Sequence, residues 1–134
     1  MIIKELTIHD KRFKDQEIIF KDKLNFIIGG SASGKTTLFN YIKSKKDIIS
    51  FDNSIPKLDT PDISYADQLI ADIRSTDYKP LMLDCPFAWF DNRKRLLDLL
   101  YSLDRQIIVF SRPFDDIPAD YSLVGDGFVK IERV

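Results

Sequence analysis

Three of the five glycines in the chain, Gly29, Gly30 and Gly34, fall between the apolar run Leu24 to Ile28 and a segment with helical spacing. Gly29, Gly30, Ser31, Ala32, Ser33, Gly34, Lys35 and Thr36 together satisfy the pattern G-x-x-x-x-G-K-[ST], so a strand must turn through small residues directly into a helix. The loop needs small residues because its backbone has to wrap closely enough for successive N–H groups to converge on one anion. In that geometry Lys35 brings a point charge to the β- and γ-phosphates of a nucleotide, the Thr36 hydroxyl is placed for Mg²⁺, and Thr37 continues the helix. A Gly/Ser turn that happens to contain a lysine is the plainer alternative, and it leaves the complete pattern and its flanks unexplained.

Around this loop the hydrophobic periodicity alternates between strand and helix. Ile2 to Ile8, Glu17 to Phe20 and Leu24 to Ile28 read as three strands. Leu38, Phe39 and Ile42 mark a helix from Gly34 to the basic cluster Lys43, Lys45 and Lys46, which suits a helix C-terminus. Asp47 to Phe51 offers a short strand before a Pro-containing loop. Ser64 has the position of an N-cap for a second helix with Ala66, Leu69, Ile70 and Ile73 on one face. Leu81 to Leu83 runs into Asp84 as a strand covered on both sides. Asp91 is placed as the N-cap of a third helix whose stripe is Leu96, Leu99, Leu100 and Leu103. Gln106 to Phe110 and Gly127 to Arg133 complete the strands, the last at an edge. This alternation implies an α/β layered domain with a parallel core.

A length of 134 residues suits one domain over residues 1–134, and 44% apolar with 31% charged residues excludes global disorder. The formal net charge of -1 gives no basic field for nucleic acid. The apolar runs fall short of the roughly 18 residues of a membrane span. Cys85 is the sole cysteine and no signal-peptide pattern is seen, so a reducing, cytoplasmic setting is expected. His9, the sole histidine, has no second ligand at metal-binding spacing and reads as structural or exposed.

A triphosphate site needs a carboxylate for Mg²⁺ or its water shell, and Asp84 at the end of an apolar strand supplies one. A turn-capping Asp before Pro86 is the simpler alternative. At this point the chain resembles the ATPase heads of the ABC superfamily, most closely the branch with SMC, Rad50 and RecF proteins. The likeness rests on the Walker A loop Gly29 to Thr36, on the opening Leu6-Thr7-Ile8, Arg12-Phe13-Lys14 and Glu17-Ile18-Ile19-Phe20, and on Asp84-Cys85-Pro86 followed by Phe90-Asp91. The last group is similar to that family's Walker B and D-loop. The resemblance implies a minimal P-loop NTPase fold: α/β, a mostly parallel central sheet, an N-terminal antiparallel hairpin and flanking helices.

The departures from the family's pattern are equally specific. Cys85 stands where the family places the glutamate that polarises the attacking water, and Ser111-Arg112 where it places the switch histidine. Ile63-Ser64-Tyr65-Ala66 occupies the signature position, with only Ser64 retained, and its helix-cap role is sufficient locally. The segment from Thr37 to Asp84 is too short for a helical subdomain or coiled-coil arms. No glutamine can be assigned to the Q-loop; Asp52 lies near that region. Lys11, Arg12 and Phe13 align approximately with adenine-contacting residues, with packing on the sheet as the alternative for Phe13, and Arg112 can be a phosphate donor or a solvated charge.

Three functions follow. The first is an ATP-binding domain with Mg²⁺ and slow hydrolysis, using Lys35 and Asp84, that acts as a switch through a nucleotide-dependent homodimer or another protein partner. The second is a binding-only module that has lost catalysis. The third is a small-molecule or nucleotide kinase with Asp52 as base. No Asn-Lys-x-Asp motif supports a GTPase, and nucleic-acid binding would follow only from analogy with the family.

Overall fold

A computed structural model describes residues 2–30, 33–52, 65–90, 92–125 and 128–134. The hairpin β1 (Glu5–Asp10) and β2 (Lys14–Ile19) is antiparallel, pairing Glu5 with Ile19 and Asp10 with Lys14. It forms its own two-stranded sheet. The six-stranded sheet contains β3 (Leu24–Ile28), β4 (Ile49–Asp52), β5 (Leu81–Asp84), β6 (Ile107–Ser111), β7 (Tyr121–Val124) and β8 (Lys130–Arg133), in the order β4-β5-β6-β3-β7-β8. All its pairings are parallel except β7 with β8. The helices are α1 (Lys35–Lys45), α2 (Tyr65–Arg74) and α3 (Arg93–Ser102), with a 3₁₀ turn at Pro86–Trp89. The class is therefore α/β, with a mostly parallel sheet and an N-terminal hairpin. None of the helices among the described residues is long and apolar enough to cross a membrane.

Alternation along the strands separates two layers of core. Ile27, Met82, Ile108 and Phe110 meet Leu38, Phe39 and Ile42 of α1 together with Leu6, Ile8, Phe13 and Ile18 of the hairpin. Phe26, Leu81, Leu83, Ile107 and Val109 point the other way, against Ala66, Leu69 and Ile73 of α2 and Leu96, Leu99 and Leu100 of α3. Burial on both sides explains why the central strands read as continuous apolar runs.

Several boundaries differ from the sequence expectation. The hairpin begins at Glu5 rather than Ile2, because Ile3 bonds through its N–H and carbonyl to the Gln106 amide instead of to a strand. The ladder then continues to Asp10 and Lys14, beyond the expected ends. Asp91 lies outside the described residues, and α3 is capped by Asn92, whose side chain accepts from the Lys94 N–H at 3.1 Å. Ser64, Ser31, Ala32 and Gly127 also lie outside the described residues. The tail strand is confined to Lys130–Arg133 and is at the sheet edge, as expected. β7 was not anticipated: it is four residues long and only Tyr121 and Leu123 point inward.

Candidate functional site

The chain leaves β3 at Ile28 and enters α1 at Lys35, with Gly34 as N-cap in a left-handed conformation at φ 99°. A Cβ on Gly34 would lie 3.1 Å from the Phe13 ring and 3.2 Å from a Val129 methyl, so both conformation and packing require glycine. At Gly29 a Cβ would fall 2.2 Å from Ser33 Oγ and 3.0 Å from Ser33 Cβ, so the two ends of the loop approach this closely because position 29 is bare. The Gly29 N–H donates to Ser111 O at 3.0 Å, and the Cys85 N–H to Phe110 O at 2.8 Å. These bonds extend the parallel ladder and align the ends of β3, β6 and β5.

The outgoing connections of the adjacent strands β3 and β6 head in opposite directions, toward β4 and toward β7. Crevices at such reversals, outside the carboxyl ends of the strands, are where open α/β sheets take ligands. Lys35 sits there, 9% exposed, its Nζ donating to Gly29 O at 2.6 Å and Gly30 O at 2.8 Å. Burial lowers its proton affinity, Cys85 and Asp84 act against this, and Arg112 adds to it. Arg12, Ser33, Gly34, Lys35, Thr36 and Thr37 line a recess of about 110 Å³. Thr36 is exposed on the wall of this recess.

Asp84 is 1% exposed, and among the described residues neither carboxylate oxygen has a hydrogen-bond partner; Ser33 Oγ is likewise buried without one among them. Buried polar atoms left in this state carry a desolvation cost that a bound group can remove. Burial raises the proton affinity of Asp84, the charge of Asp52 adds to the rise, and Lys35 opposes it. The Cys85 thiol also stabilises the carboxylate, from a position short of ordinary hydrogen-bond geometry. Among the described residues no three His, Cys, Asp or Glu side chains cluster as a metal cage. The donors present, one carboxylate and one hydroxyl with room for other oxygens, fit a hard cation that keeps waters and phosphate oxygens as ligands.

Cys85 is half-buried in a left-handed conformation, φ 51°. Burial pushes its thiol up to about 11, and Asp84 contributes, so the group is neutral near pH 7 and a poor proton acceptor. Ser111 and Arg112 follow from the end of β6 and, with Cys85, Phe87, Phe90, Arg93 and Phe114, line a separate recess of about 240 Å³. Arg112 is exposed and its charge still acts on Lys35.

The structure thus gathers Lys35, Thr36, Thr37, Ser33, Arg12 and Asp84 at one edge, with Cys85 and Arg112 beside them. Of the two readings of Phe13 the structure supports packing: the ring is fully buried in the hairpin–α1 core and is closed to an adenine. His9 is exposed and pairs with Asp15 at 2.6 Å. Sequence reading missed the Ser33 hydroxyl, buried with no hydrogen-bond partner among the described residues. It also missed the direct pairing of Asp52 with Asp84, although Ile49 to Asp52 and Leu81 to Asp84 share the form of an apolar strand ending in aspartate. Comparison with protein-family models and with curated protein sequences gives no match.

Proposed function

We propose that the Gly29 to Thr36 loop binds the phosphates of ATP together with Mg²⁺, in a minimal P-loop ATPase of the type of ABC, SMC and RecF heads. The observation that carries this reading is Asp84, buried beside Lys35 at the carboxyl edge of the sheet with neither oxygen hydrogen-bonded among the described residues. Lys35 exchanges the Gly29 and Gly30 carbonyls for the β- and γ-phosphate oxygens, while N–H groups of the loop and of the start of α1 face the same anion. Thr36 and Asp84 would hold the cation, which would supply charge neutralisation for the phosphates. Arg12, on the recess wall, adds a cation beside the phosphates.

Turnover is slow in this reading, because Cys85 offers a neutral thiol where the resembled heads carry a carboxylate. Titration calorimetry of ATP with Mg²⁺ against the wild type and Lys35→Ala is the test. A lost charge-assisted contact of about 3 kcal/mol lowers affinity about 100-fold. Equal affinity for the two proteins rejects the proposal, and ATP recovered intact after hours makes the domain a binding module.

A further inference from the structure

At the carboxyl ends of β5 and β6, where Cys85 and Ser111 lie, the chain forms a second recess of about 240 Å³, separate from the one that Lys35 lines. Three rings, Phe87, Phe90 and Phe114, and two guanidinium groups, Arg93 and Arg112, line it. Phe87 and Phe90 belong to the core beneath α2 and α3 and Phe114 packs against that core, so the apolar wall is fixed from behind. Arg93, the first residue of α3, is fixed as well. Its Nε donates to both carboxylate oxygens of Asp116, at 2.9 and 3.1 Å, and its guanidinium carbon lies 4.2 Å from the centre of the Phe114 ring. Arg112 is exposed, and among the described residues its guanidinium enters no ion pair.

Size and charge select the ligand. An apolar cavity of about 150 Å³ takes a benzene ring, so a recess of about 240 Å³ holds one ring with a small polar head. It falls short of the roughly 300 Å³ at which sites for drug-sized molecules begin. Phenylalanine side chains suit an aromatic ring, which packs against them offset or edge-on. Of the two cations, Asp116 offsets Arg93 and leaves Arg112 uncompensated. A guanidinium takes a carboxylate through two parallel N–H···O bonds. A single uncompensated charge matches a carboxylate rather than a doubly charged phosphate.

We propose that this recess is a binding site for a small aromatic carboxylate. The ring lies against Phe87, Phe90 and Phe114, the carboxylate is held by Arg112, and Arg93 forms a pre-positioned side wall. The site is separate from the Gly29 to Thr36 loop, and binding there needs no nucleotide.

The probe is benzoate, titrated into the isotope-labelled chain without nucleotide and followed by backbone amide shifts in NMR. Saturable shifts are expected in segments 85–93 and 111–116, with a Kd on the order of 1 mM or below. Acetate has the charge without the ring and benzyl alcohol the ring without the charge, so each is expected to bind at least about tenfold more weakly. Arg112→Gln is expected to weaken benzoate at least about tenfold and to leave benzyl alcohol within about twofold. Phe114→Leu is expected to weaken benzoate while acetate stays within about twofold, and thermal melts establish that both variants fold. No saturable shift up to about 20 mM benzoate, or shifts centred on the Lys35 recess, overturns the proposal. So does acetate or benzyl alcohol binding as tightly as benzoate, or an Arg112→Gln protein that binds benzoate like wild type. Phenyl phosphate binding more tightly than benzoate overturns the carboxylate assignment. Each of these outcomes leaves the ATP reading of Gly29 to Thr36 untouched, because calorimetry on Lys35→Ala tests that loop separately.

Discussion

At the amino end of the six-stranded sheet, Asn25 is 1% exposed, accepts from the Lys21 N–H and donates to the carbonyls of Lys21, Lys23 and Ile107. Gln106 bonds both backbone groups of Ile3 and the Lys21 carbonyl, and Arg105 bonds Lys79 and Thr76. At the carboxyl end, Asp84 and Ser33 are buried with side-chain oxygens that bond nothing among the described residues. The same sheet thus completes its polar network at one end and leaves it open at the other. A closed network fixes structure, because each group is held by the folded chain itself. An open one costs stability until something outside the chain supplies the missing partners.

The largest effect that tests this contrast is expected at the closed end. Asn25→Ala strands the Lys21 N–H and the carbonyls its amide reaches, in a site from which water is excluded. A loss of about 3 kcal/mol is expected in urea denaturation, as for a buried group with several bonds. Nucleotide affinity should follow only through the folded fraction. A loss below about 0.5 kcal/mol would mean that the amino end is less closed than its hydrogen bonds indicate.

A smaller effect concerns Cys85, which lines the larger recess of the open end. With its thiol pushed up to about 11 from the ordinary 9.0, the thiolate is about 100-fold scarcer than in a free cysteine below pH 9. The greater nucleophilicity of a high-pKa thiolate returns about tenfold of this. Alkylation by iodoacetamide at pH 8 should therefore run about tenfold slower than for an unfolded control, with the rate still climbing above pH 10. Reaction as fast as in the unfolded chain would show that the open end is hydrated rather than dry.

The two ends also differ in how far they are visible in the sequence. Gly29 to Thr36 and Leu81 to Asp84 are local patterns, and their strand–loop–helix and strand–turn contexts could be read directly from spacing. The α2 and α3 faces were equally legible, because Ala66, Leu69 and Ile73, and Leu96, Leu99 and Leu100, recur at the helical period and are buried. Asn25 and Gln106 were not legible as a polar clamp, since their partners lie up to 103 residues away and no period links them. The hairpin limits were misplaced for a similar reason: Ile2 and Ile3 look like strand residues, yet the Gln106 amide takes the Ile3 backbone. The cap of α3 was one residue off because Asp91 and Asn92 are both good caps, and only geometry distinguishes them. The pairing of Asp52 with Asp84 required the strand order, which places β4 beside β5.

The smallest effect has the least intuitive sign. Asp84 has its proton affinity raised, chiefly by burial and further by Asp52, so between the unfolded carboxylate value of 3.8 and the higher folded value the native state holds more protons than the unfolded one. Stability then falls as pH rises through that window, and above it Asp84 is a net cost to the nucleotide-free fold. Asp84→Asn removes the charge at nearly constant shape and should raise the stability of the free protein by about 1 kcal/mol at pH 7, or about 4 °C in Tm. The gain should shrink as pH drops toward 3.8, where the wild type is itself protonated. With ATP and Mg²⁺ present the order should reverse, because only the wild type has the carboxylate that holds the cation, and binding adds stability to the state that binds. If Asp84→Asn is instead less stable than wild type at pH 7 without nucleotide, the carboxylate is a partnered structural group and the two ends of the sheet are alike.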